Sequence, residues 1–314
     1  MIIQGIYNTT MDLDKMVHYD TELDFVEKMY AANFRPETGA QIQVNGRGEI
    51  GFSCQDGYTK LSHLYQHDPV RVLFPDVPSD EVKQGIVVTT SGGLVGGDSI
   101  SLDLTFDERT SAMVMAQAAE KIYGSHKDNC SIEVDLKAET LAWAEYLPQE
   151  TILFDGARLN RTTRIEAEVG AKILAGEYLV FGRRGSGESF SSGYLRDAWE
   201  VRRENKLIWA DTLLLENNVS EILNHPACLD DAAAAATVVF IGDDAETYLR
   251  EARAILEDNC GTIRAGVSAV NGILVARLIG KDTLNLRYAL GGFWQHLRHT
   301  VGLLPMSMPR LWQI

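Results

Sequence analysis

Ile100-Ser101-Leu102-Asp103-Leu104-Thr105-Phe106 alternates apolar and polar side chains without a break, and Ile132-Glu133-Val134-Asp135-Leu136 does the same. A strand turns successive side chains to opposite faces. Each run therefore lays one face on a core and the other in solvent or a polar channel. Similar runs occur at Ile86–Thr90, Ala112–Ala116, Arg164–Val169, Lys172–Phe181, Trp199–Arg203 and Leu207–Leu215. Gly, Asp and Asn clusters punctuate them at Ser91–Asp98, Gly124–Asn129, Asp155-Gly156, Glu168-Val169-Gly170 and Glu204-Asn205. Such short spacings favour antiparallel neighbours over β-α-β crossovers, which need a dozen or more residues. No internal repeat is read from the sequence.

The period changes in the C-terminal third. Ala245, Tyr248, Leu249, Ala252, Ile255 and Leu256 form one helical stripe over Asp243–Asp258. Asp243 and Glu246 have capping-box spacing, and Gly261 follows the end. Asn271-Gly272 is a strong hairpin signal between strands in Thr262–Leu278. A second helix is expected from Thr283 to Val301, where Gly291-Gly292 implies either close helix packing or a break. The run Ala232–Ala236 reads as a linker or a short helix edge. Residues 1–40 have mixed polarity and no clean period. They read as an N-terminal extension, and 41–314 as one β-rich domain.

Charge narrows the function classes. Asp plus Glu number 44 against 29 Lys plus Arg, a net charge of −15 over 314 residues. That field repels phosphate backbones and anionic lipid, so neither nucleic acid nor a membrane is an expected partner. Cys54, Cys130, Cys228 and Cys260 contain no CxxC pair. Their spacing fits neither a zinc ribbon nor a disulfide framework, and buried thiols in a reducing cytoplasm are expected. No run approaches the ~20 apolar residues that span a bilayer. The N-terminus carries no signal-peptide pattern.

Ser91-Gly92-Gly93-Leu94-Val95-Gly96-Gly97-Asp98 invites a phosphate-cradle reading, but no Lys-Ser/Thr pair follows its last glycine and a strand follows where a helix would be needed. A tight turn with glycine-only conformations is the expectation. Arg183 and Arg184, in the glycine-rich Gly182–Ser189, are candidate contacts to an acidic partner surface. His63 and His67, spaced i, i+4, share a face on either a helix or a strand and are candidate metal contacts. Glu177 interrupts the apolar run Ile173–Phe181. A charge there is costly unless paired or solvated, which points to an internal ion pair, a water-filled interior or an ion path. No nucleophile–base–orienter set, cofactor fingerprint or closed metal site emerges, so the chain is not expected to be an enzyme.

Six ordered blocks resemble a known family. They are Gly57-Tyr58-Thr59-Lys60-Leu61 with Pro69-Val70-Arg71-Val72-Leu73-Phe74-Pro75; Thr90-Ser91-Gly92-Gly93-Leu94-Val95-Gly96-Gly97-Asp98; Gln117-Ala118-Ala119-Glu120-Lys121-Ile122-Tyr123; Tyr146–Ala157; Phe181-Gly182-Arg183 with Gly187-Glu188 and Gly193; and Met308-Pro309-Arg310-Leu311-Trp312. Together they resemble the urease accessory protein UreD (UreH) family over residues 45–314. The resemblance implies a mainly β fold of helically wound, flattened sheets with two α-helices in the C-terminal third. It implies a non-enzymatic maturation factor that binds apo-urease, UreF and, through UreF, the GTPase UreG. It also implies nickel insertion by way of an internal tunnel, with nickel in transit and no permanently bound cofactor. Motif membership and polarity nominate Glu177, Asp155, Asp98 and Thr90 for the nickel path. The competing expectation is a stand-alone nickel-binding or nickel-buffering β-protein.

Overall fold

The computed structural model describes residues 43–313. The expected extension over 1–40 lies outside the described residues. Seventeen strands are β1 Asn45–Gln55, β2 Tyr58–His67, β3 Val70–Leu73, β4 Lys83–Thr89, β5 Ser99–Phe106, β6 Ser111–Ala116, β7 Glu120–Ile122, β8 Cys130–Ala138, β9 Trp143–Leu147, β10 Thr151–Leu153, β11 Arg158–Ala167, β12 Lys172–Phe181, β13 Tyr194–Arg203, β14 Lys206–Glu216, β15 Ala234–Ile241, β16 Arg264–Val270 and β17 Ile273–Gly280. Among the described residues the three α-helices are α1 Val219–Asn224, α2 Leu249–Cys260 and α3 Thr283–Gly302. The protein is mainly β, with wound sheets and its two long helices near the C-terminus, as the resemblance implied.

The chain alternates between two sheets. The first has the order β14-β13-β11-β8-β5-β1-β2, and the second β16-β17-β15-β12-β9-β6-β4-β3. β5, β8, β11 and β13 go to the first sheet while β4, β6, β9 and β12 go to the second, and each set pairs in parallel. This corrects the expectation of antiparallel neighbours. A loop too short for a crossover within one sheet is long enough to step to a facing sheet about 10 Å away. The next return then lands beside, and parallel to, the previous strand. Antiparallel strands lie at the ends: β2 and β14 in the first sheet, β3 and the β15–β17–β16 group in the second.

The winding contains a repeat that the sequence hid. Asp107–Thr110, Glu139–Ala142 and Glu168–Ala171 each connect a first-sheet strand to a second-sheet strand. In each the last N–H donates to the first carbonyl, and the third residue has positive φ: Arg109 at 58°, Leu141 at 59° and Gly170 at 73°. Backbone geometry repeats here while residue type does not.

Burial explains the two sequence textures. The first sheet packs one face on the interior, so β5 and β8 alternate strictly. The second is covered on both faces, by the first sheet and by α2 and α3, so β12 is buried almost throughout. The Ala232–Ala236 run is neither linker nor helix: Ala234–Ala236 open β15. Alanine is a poor strand former, but β15 lies between two packed layers where small side chains fit, and that contact overrides propensity.

The Asn271-Gly272 hairpin forms, both residues having positive φ. Gly291 and Gly292 mark close packing rather than a break, since a Cβ there would strike Trp312 or Asn259. The expected capping box does not form. Asp243 accepts from the Gly170 N–H and Glu246 from the Gly272 N–H, and a 3-10 turn, Ala245–Tyr248, precedes α2.

Candidate functional site

Odd-numbered residues of β12 face the first sheet: Ile173, Ala175, Leu179 and Phe181 all join the core between the sheets. Glu177 has the same parity and is 2% exposed. Opposite it, Leu159, Arg161, Thr163 and Ile165 of β11 and Leu195, Asp197, Trp199 and Val201 of β13 point inward by the same alternation. Arg161 and Asp197 are register partners on these parallel strands.

Three buried charges therefore meet. Arg161 grips Asp197 with two parallel bonds, Nε to Oδ1 at 2.9 Å and Nη2 to Oδ2 at 3.0 Å. Its Nη1 donates to Thr151 Oγ1 at 3.0 Å. Thr163 Oγ1 donates to Glu177 Oε1 at 2.5 Å. Glu177 Oε2 lies against the Arg161 guanidinium as an ion pair but without hydrogen-bond geometry. Two carboxyls thus share one cation. Burial, opposed by Arg161 and reinforced by Asp197, pushes the Glu177 carboxyl well above the ordinary value. Burial alone would lower Arg161, but Asp197 and Glu177 outweigh it and hold the guanidinium charged. Burial, with the Glu177 charge adding, pushes the Tyr146 phenol up.

The cluster borders open space on both sides. A cavity of about 280 Å³ is lined by Glu177, Asp197, Trp199, Asp211, Thr237 and Arg277 among others. A smaller one, about 70 Å³, is lined by Thr89, Glu120, Tyr146, Gln149, Thr151 and Arg161. Arg161 thus stands between a space bordered by carboxyls and one bordered by neutral polar groups and Glu120, whose carboxyl burial raises.

A second buried cluster lies on the other face of the same sheet. Glu145 of β9 accepts from Trp143 Nε1 at 2.9 Å, Trp294 Nε1 at 2.8 Å and Arg298 Nη2 at 3.0 Å. Arg298 also donates to Glu81 at 3.0 Å and to the carbonyls of Pro305 and Ser307. Both Glu145 oxygens are bonded, and this cluster fastens α3 and the C-terminal tail to the sheet.

The other nominated residues do not gather around Glu177. Asp98 accepts from the Val44 and Val95 N–H groups at 2.9 and 2.8 Å, pinning the glycine-rich loop. Asp155 accepts from Ser191 and Ser192, backbone and hydroxyl alike. Burial would raise it, but those bonds together hold its carboxyl below the ordinary value. The Thr90 hydroxyl donates to Pro69 O. His63 and His67 sit on edge strand β2, about 13 Å apart at strand rise, too far to share one ion. His63 pairs with Glu49 and His67 with the Asn45 carbonyl. Arg183 bonds Glu188 and stacks on Phe154, while Arg184 holds Asp231 and the Ala232 carbonyl. Among the described residues no three His, Cys, Asp or Glu side chains are grouped to hold a metal. Among the described residues no helix is long and apolar enough to cross a membrane.

Sequence reasoning missed Arg161, Asp197, Thr163 and Trp199. The first two fall in the early halves of β11 and β13, ahead of the alternating runs Arg164–Val169 and Trp199–Arg203. The pattern Leu159-x-Arg161-x-Thr163-x-Ile165 was the available signal.

Comparison with known proteins bears on this architecture. Residues 44–313 match the family model described as UreD urease accessory protein. A urease accessory protein UreD of Magnetococcus marinus is 41% identical over 287 residues, 90% of this chain and 99% of that one. Its counterpart in Rhizobium leguminosarum bv. trifolii is 34% identical, covering 90% and 98%. Urease accessory protein UreD 1 of Brucella abortus is 36% identical, covering 88% and 97%.

Proposed function

This chain belongs to the UreD urease accessory protein family, and from that premise we propose that it matures urease as an adaptor and conduit, without covalent chemistry of its own. In this reading it binds the urease apoprotein and UreF, and through UreF the GTPase UreG. Nickel released there passes between the two sheets toward urease, in the cytoplasm. Nickel is cargo, and no resident cofactor is needed.

The observation that carries this reading is Glu177, a fully buried carboxyl with one oxygen free of hydrogen bonds, on the wall of the larger cavity. Oxygen donors suit passage. Softer thiolate and imidazole sets would hold nickel longer. Glu177, Asp197, Thr163 and Thr151 supply oxygen at one level of the interior. Asp98, Asp155 and Thr90, each bonded to the backbone elsewhere, are poorer stations.

Glu177→Met tests the path. It should lower the nickel content and activity of the urease matured with it, while UreF still co-purifies. Normal nickel content with that variant would count against the path. Arg183 and Arg184 are proposed partner contacts, and replacing both by Glu should weaken co-purification. Equilibrium dialysis separates delivery from storage: the conduit binds nickel loosely, in the micromolar range or weaker, whereas a buffering protein binds it tightly and stoichiometrically.

A further inference from the structure

A polar row leads from the buried cluster to the surface. In the second sheet, Glu177 of β12 is the register partner of Thr237 of β15, and Thr237 of Arg277 of β17. Strands lie about 4.8 Å apart, so the row covers roughly 10 Å. It ends at a guanidinium whose side chain is 55% exposed. Arg277 holds an inward register position beside Ile273, Val275 and Ile279, where the pattern calls for an apolar residue. In the first sheet, Trp199 is the register partner of Asp211 on edge strand β14. Asp211 and Arg277 reach across the gap between the sheets and pair.

Both partners line the same cavity as Glu177, Asp197 and Trp199. Two buried polar atoms of that lining have no hydrogen-bond partner: Glu177 Oε2 and the indole N–H of Trp199. Glu177 Oε2 meets only the Arg161 guanidinium, as an ion pair, and the Trp199 N–H meets no acceptor, so this wall of the cavity is short of hydrogen-bond partners. At rest Arg277 places a positive charge where a cation would enter. Half-exposed ion pairs are weak enough to open readily, and an edge strand is the part of a sheet that a docking partner reaches first.

We propose that the Asp211–Arg277 pair is a displaceable latch over the mouth of the inter-sheet cavity, and that a divalent cation enters by taking Asp211 from Arg277 before moving to Asp197 and Glu177. The step is ion exchange: Arg277 swings to solvent as the cation takes its place beside Asp211. The proposal rests on the conduit reading above and adds the gate.

Fluorescence of the full chain tests it. Trp199 is one of five tryptophans, and its signal is the component that Trp199→Phe removes. Acrylamide probes access for a neutral molecule, and Co²⁺ probes access for a divalent cation. Arg277→Ala should raise quenching of the Trp199 component several-fold with both probes. Asp211→Asn should raise acrylamide quenching but not Co²⁺ quenching, because the mouth opens without the carboxylate that draws the ion. The swapped pair Asp211→Arg with Arg277→Asp should restore low acrylamide quenching, which separates a latch from a misfolded rim. Acrylamide quenching unchanged in both single variants overturns the latch. Equal Co²⁺ quenching in both overturns the role of Asp211. Altered quenching with unaltered nickel content of urease matured at limiting nickel would leave the latch standing and overturn the conduit reading, and with it the cation's route.

Discussion

Glu145 and Glu177 are both buried carboxyls beside an arginine, on opposite faces of one sheet, yet they are built differently. Glu145 receives two indole N–H groups and a guanidinium, and neither oxygen is left over. Glu177 receives one hydroxyl, shares its arginine with Asp197, and faces a cavity. The first arrangement is complete and fastens a helix and a tail. The second leaves one oxygen with an ion pair but no hydrogen bond, beside a cavity. Hydrogen-bond completeness, rather than burial or charge, is what separates the two glutamates.

The largest expected effect that sharpens this contrast is at Arg298. Arg298→Met removes the cation from Glu145 and Glu81 and should destabilise the fold by about 3–5 kcal/mol, read by chemical denaturation. Glu177→Gln should cost far less at neutral pH. If the two proved equally damaging, the distinction would fail.

Next come the two indoles. Trp294→Phe deletes a donor to a buried carboxylate and should cost about 1–3 kcal/mol. Trp199→Phe deletes an N–H that bonds nothing and should cost less than about 1 kcal/mol, with the difference visible in paired urea melts.

The smallest effect is one of pH. The Glu177 carboxyl is raised in the fold above its ordinary value of 4.5, so between those values the native state holds a proton that the unfolded chain releases. Stability contributed at this position is therefore lost as pH rises from about 4.5 toward the folded value. Glu177→Gln cannot titrate, and its stability relative to the natural sequence should improve with pH across that window. A difference that stays flat, or runs the other way, would mean that Arg161 keeps Glu177 ionised.

Much of this was legible in the chain. Alternation told which side chains turn inward, and the 3.6-residue period located both long helices. Glu177 stood out because one charge broke an apolar run. Alternation is silent, however, about which sheet a strand joins, so the parallel winding stayed hidden. The repeated turns escaped because their signal is a backbone conformation shared by Arg109, Leu141 and Gly170, residues with nothing chemical in common. Asp98 and Asp155 read as ion stations because acidity within a family motif is visible in the sequence, whereas the backbone amides that occupy them are not. Arg161 and Asp197 become a pair only when two strands far apart in sequence settle into register.

The reversed strands that finish each sheet have a consequence for solubility at high concentration. A stack of parallel rungs offers at each end a surface that matches the other end, and such stacks can join head to tail into fibres. Here β2 and β14, and on the second sheet β3 and β16, run against the direction of the rungs they cover. An incoming copy meets a reversed strand at every edge and cannot add one more rung in the same direction.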